Sequence, residues 1–280
     1  MMTFDRALQW AQEQLTGRTE RPRLEAEILL GFASGIARSR LLLHAAELLN
    51  NEPLFRLAVA RRVAQEPIEY ITGRVSFYDM ELSIGPGALI PRPETEILVD
   101  KAAEIIRRYR LKYLAEIGIG SGAISIVLAR MFPDVHIVAT DISEAALSIA
   151  ERNIAAAGLK GRITLRHTSL LDGIEAPIEL MVSNPPYIAL GTALPSSIAD
   201  YEPSAALYAD EEGDALLKKI IRLAVARGIA HVTCEMGYDQ RARISAFVKE
   251  LGVYSSQFYT DLAGLDRGCV LRSSPKKKGI

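Results

Sequence analysis

The pattern of hydrophobic and polar positions divides the chain into three stretches. Residues 1–73 carry apolar side chains every three or four positions, and Thr3 can cap a first helix that begins at Phe4. Residues 74–93 alternate between polar and apolar positions, which is typical of strands. From residue 94 onward, short apolar runs alternate with helical stretches. The pattern therefore predicts a small helical bundle, a hairpin linker that turns at Gly85–Gly87, and an α/β domain over residues 94–280.

Seven apolar runs of strand length occur in the α/β domain. They cover residues 113–117, 135–140, 163–166, 178–182, 231–234, 253–259 and 268–271. Strands that alternate with helices indicate a parallel, doubly wound sheet. No helical pattern separates the last two runs, so they predict an antiparallel final pair.

A glycine-rich loop follows the first of these strands. Gly118, Gly120 and Gly122 would let a ligand lie against the main chain, and the next helix offers free N–H groups. Asp141, at the end of the second strand, is placed to accept hydrogen bonds from ribose hydroxyls. The same spacing fits a dinucleotide fingerprint, so the loop leaves NAD and S-adenosylmethionine both open. Glu116, just before the loop, suits a cationic aminoacyl tail better than a pyrophosphate.

The tetrapeptide Asn184-Pro185-Pro186-Tyr187 ends the fourth apolar run. Its prolines lack an N–H and fix φ, so the chain leaves the sheet as a rigid loop. The Asn184 side-chain oxygen and the Pro185 carbonyl can accept both N–H groups of a planar amide or aryl amine, while Tyr187 stacks on it. Holding both N–H groups in this way positions the nitrogen for methyl transfer, so a strong base is not needed. The loop favours S-adenosylmethionine over NAD, but it does not choose between an adenine and a glutamine amide.

Composition narrows the function classes. The chain has 280 residues and is 49% hydrophobic and 24% charged, a composition typical of globular proteins. Its net charge is -1. Residues 1–73 hold nine basic and nine acidic side chains, which argues against a DNA clamp. Two cysteines without ligand spacing and no apolar run of membrane length predict a cytoplasmic protein without metal or membrane contact. We also expect a monomer that does not bind nucleic acid directly.

Six segments, in this order, resemble the HemK-type protein-(glutamine) methyltransferases over about residues 60–270. They are Glu66–Gly73, Ile90–Glu96, the loop Glu116–Gly122, Asn184–Tyr187, Glu235–Gln240 and Asp261–Arg267. The resemblance implies a seven-stranded, Rossmann-like class I methyltransferase domain over residues 94–280. A substrate-docking helical domain would cover residues 1–73, with a β-hairpin linker over residues 74–93.

The resemblance also implies the reaction. S-adenosyl-L-methionine would donate a methyl group, leaving S-adenosyl-L-homocysteine, to the glutamine of the Gly-Gly-Gln motif of peptide chain release factors. That methylation would modulate translation termination. The alternatives are a ribosomal-protein glutamine and, against the charge balance, DNA adenine.

Site residues follow from the same resemblance, position by position. The cofactor residues would be Glu116, Gly118, Ile119, Gly120, Ser121, Gly122, Asp141, Leu171 and Asn184. Asn184, Pro185, Pro186 and Tyr187 would hold the glutamine amide, with Asn184, Pro185 and Tyr187 as the catalytic residues. In the segment Thr168–Asp172, Leu171 would line the adenine pocket. Glu116 stands where the family usually has an aspartate and is one methylene longer.

Overall fold

The computed structural model describes residues 1–273. Its N-terminal stretch forms α1 (Phe4–Leu15), α2 (Pro22–Ser34), a 3-10 helix (Arg38–His44), α3 (Glu52–Val63) and α4 (Ile68–Thr72). Thr3 caps α1 by accepting a hydrogen bond from the Arg6 amide. Gly35 ends α2 in the left-handed conformation, with φ 72°. The helices bury one shared core, in which Leu29 and Phe55 are fully enclosed.

A hairpin follows, formed by β1 (Arg74–Phe77) and β2 (Met80–Ser83). Its turn lies at Tyr78–Asp79, inside the stretch that the alternation predicted as one strand. A turn does form at Gly85–Gly87, where the Ala88 amide donates to the Gly85 carbonyl at 3.4 Å, but it follows the hairpin and does not connect its strands. Tyr78 has φ 54°, a conformation that favours glycine. Its amide donates to Glu96 Oε1 at 2.7 Å and its hydroxyl donates to Asp100 Oδ1 at 2.5 Å. These contacts hold the turn where its local sequence gives no turn signal.

The rest of the described chain alternates strands and helices. The elements are α5 (Thr95–Tyr109), β3 (Tyr113–Ile117), α6 (Ala123–Met131), β4 (His136–Asp141), α7 (Glu144–Ala156), β5 (Ile163–His167), β6 (Leu180–Ser183), α8 (Ser196–Ala199), α9 (Ser204–Leu207), α10 (Ala215–Arg227), β7 (His231–Glu235), α11 (Arg241–Glu250), β8 (Ser255–Thr260) and β9 (Asp266–Arg272).

Seven of these strands form one mixed sheet in the order β5-β4-β3-β6-β7-β9-β8. The first five strands in this order are parallel to one another. Strand β9 runs antiparallel to both β7 and β8. This confirms the predicted fold class, including the antiparallel final pair. The chain moves outward from β3 to β4 and β5 and then returns to place β6 on the other side of β3. That reversal creates a crevice at the carboxyl ends of the central strands.

Burial follows the sheet order. Every residue of β6 and β7 is buried, as expected for central strands covered on both faces. Cys234 and Cys269 face each other across β7 and β9, and both are free and buried. Within residues 1–273, no helix is long and apolar enough to cross a membrane.

The chain separates into two compact units. The helical unit contains Met1–Arg74 together with Leu194–Tyr201, and the sheet unit contains Val75–Ala193 together with the described residues from Glu202 onward. Within the helical unit, the Tyr201 hydroxyl donates to the Ala64 carbonyl at 2.7 Å. The sequence pattern does not indicate that a segment so far along the chain belongs with the N-terminal helices.

Candidate active site

A cavity of about 260 Å³ opens in the sheet unit at the carboxyl ends of β3, β4, β5 and β6. Most predicted site residues lie in its wall. These are Glu116, Gly118, Ile119, Gly120, Ser121, Asp141, Asn184 and Pro186. Four other predicted residues do not line it, namely Gly122, Leu171, Pro185 and Tyr187. Residues 87–89, Pro91 and Pro203, which the sequence did not connect with a ligand, complete the wall.

The glycine loop is held mainly by its own backbone. The amides of Gly118 and Ile119 both donate to the Thr140 carbonyl, at 2.8 and 3.0 Å, which fixes the loop against the end of β4. Gly120 has φ 56°, and a Cβ there would meet no atom within 4 Å. The left-handed backbone therefore calls for glycine, and it leaves the side facing the cavity open. Gly122 instead begins α6, where an added Cβ would lie 3.2 Å from Ile126 Cδ1.

Glu116 is buried at the end of β3, with 2% of its surface exposed. Its carboxylate accepts a hydrogen bond from the Ser125 hydroxyl of α6. Burial raises the pKa of Glu116 to about 8, although the bond from Ser125 lowers it. The cavity wall therefore holds a carboxyl group that is mostly protonated at neutral pH and would ionise beside a bound cation.

Asp141 binds the backbone on both sides of the cavity mouth. Its Oδ2 accepts from the Gly120 amide at 3.0 Å and its Oδ1 accepts from the Ser143 amide at 2.9 Å. The carboxylate thus joins the glycine loop to the start of α7. Each oxygen has a further lone pair, so Asp141 can still accept from the hydroxyls of a ligand.

Thr140, which also lines the cavity, has a fully buried hydroxyl oxygen without a hydrogen-bond partner among residues 1–273. A buried hydroxyl without a partner is costly, and a polar ligand in the cavity would satisfy it. Together with Glu116, Asp141 and the open side of the glycine loop, it gives the cavity the polar groups that an adenosine-containing cation requires.

The structure places the two adjacent leucines after β5 differently. Leu171, which the resemblance assigned to the adenine pocket, is 3% exposed and belongs to the same core cluster as residues of α10. The neighbouring Leu170 lines the cavity with Thr168 and Ser169. Leu170 has φ 50°, so the chain turns sharply at this residue.

The Asn184 loop is held by side chains from other parts of the sheet unit. Asn184 Nδ2 donates to Thr95 Oγ1 at 3.1 Å, and Thr95 Oγ1 donates to Glu235 Oε2 at 2.8 Å. Thr95 and Glu235 are both buried, and Thr95 lines the cavity together with Asn184. Because Nδ2 is engaged by Thr95, Oδ1 is the amide atom that Asn184 offers to a ligand.

Tyr187 is anchored at both its hydroxyl and its carbonyl. The hydroxyl forms a hydrogen bond with Glu235, and burial together with this carboxylate raises the pKa of Tyr187 above its ordinary value. The Tyr187 carbonyl accepts from Gln240 Nε2 at 3.0 Å, while Gln240 Oε1 accepts from the Gly237 amide at 3.0 Å. Tyr187 is therefore held by side chains from β7 and from the start of α11.

Sequence reasoning did not assign roles to Thr95, Glu235 and Gln240. All three lie in segments that carried part of the family resemblance, Thr95 in Ile90–Glu96 and the other two in Glu235–Gln240, so those segments were the available signal. Burial raises the pKa of Glu235 to about 7, while its bonds with Thr95 and Tyr187 lower it.

An ion pair lies beside the cavity, next to the wall residues Pro91 and Pro203. The Arg92 guanidinium contacts Glu202, which is 5% exposed, and the Ile90 amide donates to Glu202 Oε2 at 3.0 Å. Arg92 therefore holds the chain near Pro203 against the chain near Pro91. In the described part of the chain, no group of three or more His, Cys, Asp or Glu side chains could hold a metal ion.

Two family models match the chain. The model described as PrmC N-terminal domain matches residues 6–73, and the model described as methyltransferase small domain matches residues 94–200.

Curated relatives match along almost the whole chain. A release factor glutamine methyltransferase of Moorella thermoacetica is 36% identical over 275 residues, which cover 95% of this chain and 97% of that protein. Proteins with the same name from Neisseria gonorrhoeae and Geobacter sulfurreducens are 34% and 32% identical, and each alignment covers at least 95% of both chains.

Solved structures share the fold at lower identity. The catalytic domain of human METTL16, solved in complex with an RNA hairpin, superposes with a TM-score of 0.58 at 17% identity, covering 77% of this chain and 81% of that one. The N-terminal domain of the same human protein, solved with SAH, gives 0.53 at 17% identity, covering 82% and 86%. At this identity the likeness shows the methyltransferase fold alone.

Proposed function

The chain belongs to the release factor glutamine methyltransferase family, and from that membership we propose which reaction it catalyses and where. It transfers a methyl group from S-adenosylmethionine to the side-chain amide nitrogen of the glutamine in the Gly-Gly-Gln motif of a peptide chain release factor. The methylated factor then acts in translation termination. The helical unit is the docking domain for that factor, and the sheet unit carries the chemistry.

The observation that carries this proposal is the orientation of the Asn184 amide. Its nitrogen is bound to Thr95, so its oxygen is left for a substrate N–H at the wall of the cavity. The carbonyl of Pro185, in the same rigid loop, is the second acceptor. A primary amide has two N–H groups in one plane, and these two acceptors match them.

The cofactor site follows from the residues of the cavity wall. Asp141 and the Gly118–Ser121 backbone would hold the adenosine part, and Leu170 takes the place that the sequence gave to Leu171. Thr140 offers its unpaired hydroxyl, and Glu116 faces the cationic aminoacyl tail. Gly122 supports the site from behind by letting α6 begin close to α7.

When bound, S-adenosylmethionine supplies a methyl group on a positively charged sulfur. The chain's own residues make the amide nitrogen able to accept it. Asn184 Oδ1 and the Pro185 carbonyl hold both N–H groups and so turn the nitrogen lone pair toward the methyl carbon. Transfer would move the positive charge from the sulfur to the amide nitrogen, and the methylated nitrogen would therefore be strongly acidic. It would pass one proton along its hydrogen bonds to Asn184 Oδ1 or the Pro185 carbonyl and from there to solvent, so no strong base would be needed.

Docking of a folded protein substrate requires an accessible surface. On the helical unit, Leu42, Leu43 and Leu48 are more than half exposed, at 74%, 76% and 51%. Exposed leucines that lie close together in sequence are unusual on a surface that stays in water and are typical of a binding site. They support the docking role of this unit.

The test is transfer of labelled methyl groups from S-adenosylmethionine by the purified protein. Release factor, ribosomal proteins and duplex DNA are offered separately. We expect label in the release factor, and peptide mapping should place it on the glutamine of Gly-Gly-Gln. A release factor with that glutamine replaced by alanine is the matched control and should stay unlabelled. Label in ribosomal protein or DNA alone would contradict the proposal.

A further inference from the structure

A chain of buried hydrogen bonds leads from Glu235 to the cavity. Glu235, at the end of β7, accepts from the hydroxyl of Thr95, the first residue of α5, and Thr95 accepts from Asn184 Nδ2. The three residues are distant in sequence, since 89 positions separate Thr95 from Asn184 and 140 separate it from Glu235. Glu235 and Thr95 are 2% and 3% exposed and do not themselves offer a surface to a protein substrate.

The direction of the bonds in this chain is set at Glu235. An ionised carboxylate is an acceptor only, so the Thr95 hydroxyl must give its single hydrogen to Glu235. The Thr95 oxygen can then only accept, and the group that it faces on Asn184 must be the NH₂. An amide flipped by 180° would place its oxygen against the Thr95 oxygen, where no hydrogen is available. The ionised carboxylate therefore decides which end of the Asn184 amide faces the substrate.

We propose that Glu235 and Thr95 are positioning residues that fix the Asn184 amide with Oδ1 toward the substrate. This inference rests on the proposed function and adds to it the device that orients the acceptor. With the opposite orientation, the Asn184 NH₂ would meet a substrate N–H, and the target nitrogen would be repelled. Glu235 also bonds the Tyr187 hydroxyl, so one carboxylate acts on both ends of the Asn184–Tyr187 loop.

Protonation of Glu235 would reverse the direction of these hydrogen bonds. A neutral carboxyl group can donate its own proton to the Thr95 oxygen, and the Thr95 hydroxyl is then free to donate to Asn184 Oδ1. Burial raises the pKa of Glu235 to about 7, so this state is populated just below neutral pH. The charged or titratable groups around Glu235 are Glu94 before α5, Tyr187 in the loop, Tyr259 on β8 and Arg267 on β9.

The first test compares two substitutions at one position, Thr95→Val and Thr95→Ser. Valine keeps the shape but removes the hydroxyl, whereas serine keeps the hydroxyl and removes the methyl group. We expect Thr95→Val to lower kcat for release-factor methylation by about 10- to 100-fold, because the acceptor loses its fixed orientation. KM for the release factor should stay within about threefold, since we propose that the helical unit supplies most of the surface that binds it, and the cofactor Kd should also stay within about threefold because the glycine loop is unchanged. Thr95→Ser should restore most of kcat.

The second test uses pH and also serves if Thr95→Val does not fold. At saturating cofactor, kcat of the unchanged protein should fall as the pH is lowered through about 7, where Glu235 gains its proton. In Glu235→Gln the side chain no longer titrates, so the fall of kcat below about pH 7 should disappear. At about pH 8, kcat of this variant should be lower than that of the unchanged protein. Thermal unfolding of each variant shows that it is folded.

The outcomes separate the two levels of inference. If the unchanged protein does not methylate the release factor, the proposed function fails. If it does, and Thr95→Val has a normal kcat, or the fall of kcat at acidic pH survives in Glu235→Gln, the positioning role is refuted while the function stands. Equal losses in Thr95→Val and Thr95→Ser would also refute it, because packing and not the hydroxyl would then be responsible.

Discussion

The two sides of the cavity are built in different ways. On the cofactor side, the glycine loop is held by backbone hydrogen bonds to Thr140 and by Asp141, which lies at the end of the neighbouring strand. On the substrate side, the Asn184 loop is held by the side chains of Thr95, Glu235 and Gln240, which lie in two segments far from it in sequence. The cofactor side is a local structure that depends on its glycines, whereas the substrate side forms only after the sheet and its helices have assembled. Damage to each side should therefore show up in a different measurement.

The largest effect is expected at the substrate side. Asn184→Ala removes the side-chain acceptor, and we expect kcat to fall by about 10³-fold or more, since loss of a positioned group of this kind costs that much. The cofactor Kd, measured by calorimetry, should stay within about threefold because the glycine loop is untouched. Near-normal turnover would show that Asn184 does not hold the amide, and a lost cofactor affinity would show that the two sides are not independent.

The matching change at the cofactor side is Gly120→Ala. Alanine at φ 56° costs about 1–2 kcal/mol, and its Cβ would stand on the open side of the loop. We expect the cofactor Kd to rise about tenfold or more, with kcat at saturating cofactor changed much less. Gly158→Ala is the control, since Gly158 has φ 70°, equally open space and no place in the cavity wall. It should lose a similar amount of stability and keep its affinity; equal affinities in the two variants would contradict the cofactor role of the loop.

Replacing Gln240, which holds the Asn184 loop, should lower kcat by less than the two changes above alter their measured quantities. Gln240→Leu leaves the Tyr187 and Gly213 carbonyls and the Gly237 amide without their partner. We expect about 1–3 kcal/mol less unfolding free energy in denaturant titration, and a kcat about tenfold lower. The exposed Gln257 of β8 gives a control, as Gln257→Leu should change neither quantity. A variant of Gln240 with normal kcat would mean that the prolines alone keep the loop in shape.

The smallest effect concerns Glu116 and pH. Its pKa of about 8 in the cofactor-free protein means that the carboxyl is mostly protonated at pH 7. A cationic tail nearby would lower that pKa, so binding should release a proton and the affinity should rise with pH up to about 8. Calorimetry in buffers of different ionisation enthalpy measures the released proton. Glu116→Gln should release none and should lose the pH dependence; release that persists in this variant would place the cationic tail elsewhere.

The same contrast explains how much of the molecule could be predicted from its sequence. Helix α1, the strands of the sheet and the glycine loop were predicted because each depends on the period or composition of a few neighbouring residues. Asn184 could be chosen because two prolines make its surroundings rigid within four residues. Thr95 could not, since its role comes from two partners 89 and 140 positions away.

The predicted position of the hairpin turn was wrong for a physical reason. The turn depends on a non-glycine residue with positive φ, Tyr78. Local sequence favours glycine at such positions, so the pattern assigned the hairpin turn to Gly85–Gly87, which forms a separate turn after the hairpin. Tertiary contacts, such as the bonds from Tyr78 to Glu96 and Asp100, overrule that preference.

The position of β9 has a consequence for how the protein is made. This strand is the last among the described residues, yet it lies between β7 and β8 and not at the edge of the sheet. Chains are synthesised from the N-terminus, so the residues of the glycine loop are made early, while β7 lacks its antiparallel neighbour until residues 266–272 have been made. Glu235 acquires its Arg267 neighbour only then. A nascent chain that stalls before residue 266 would therefore lack the cationic neighbour of the carboxylate that we propose orients Asn184.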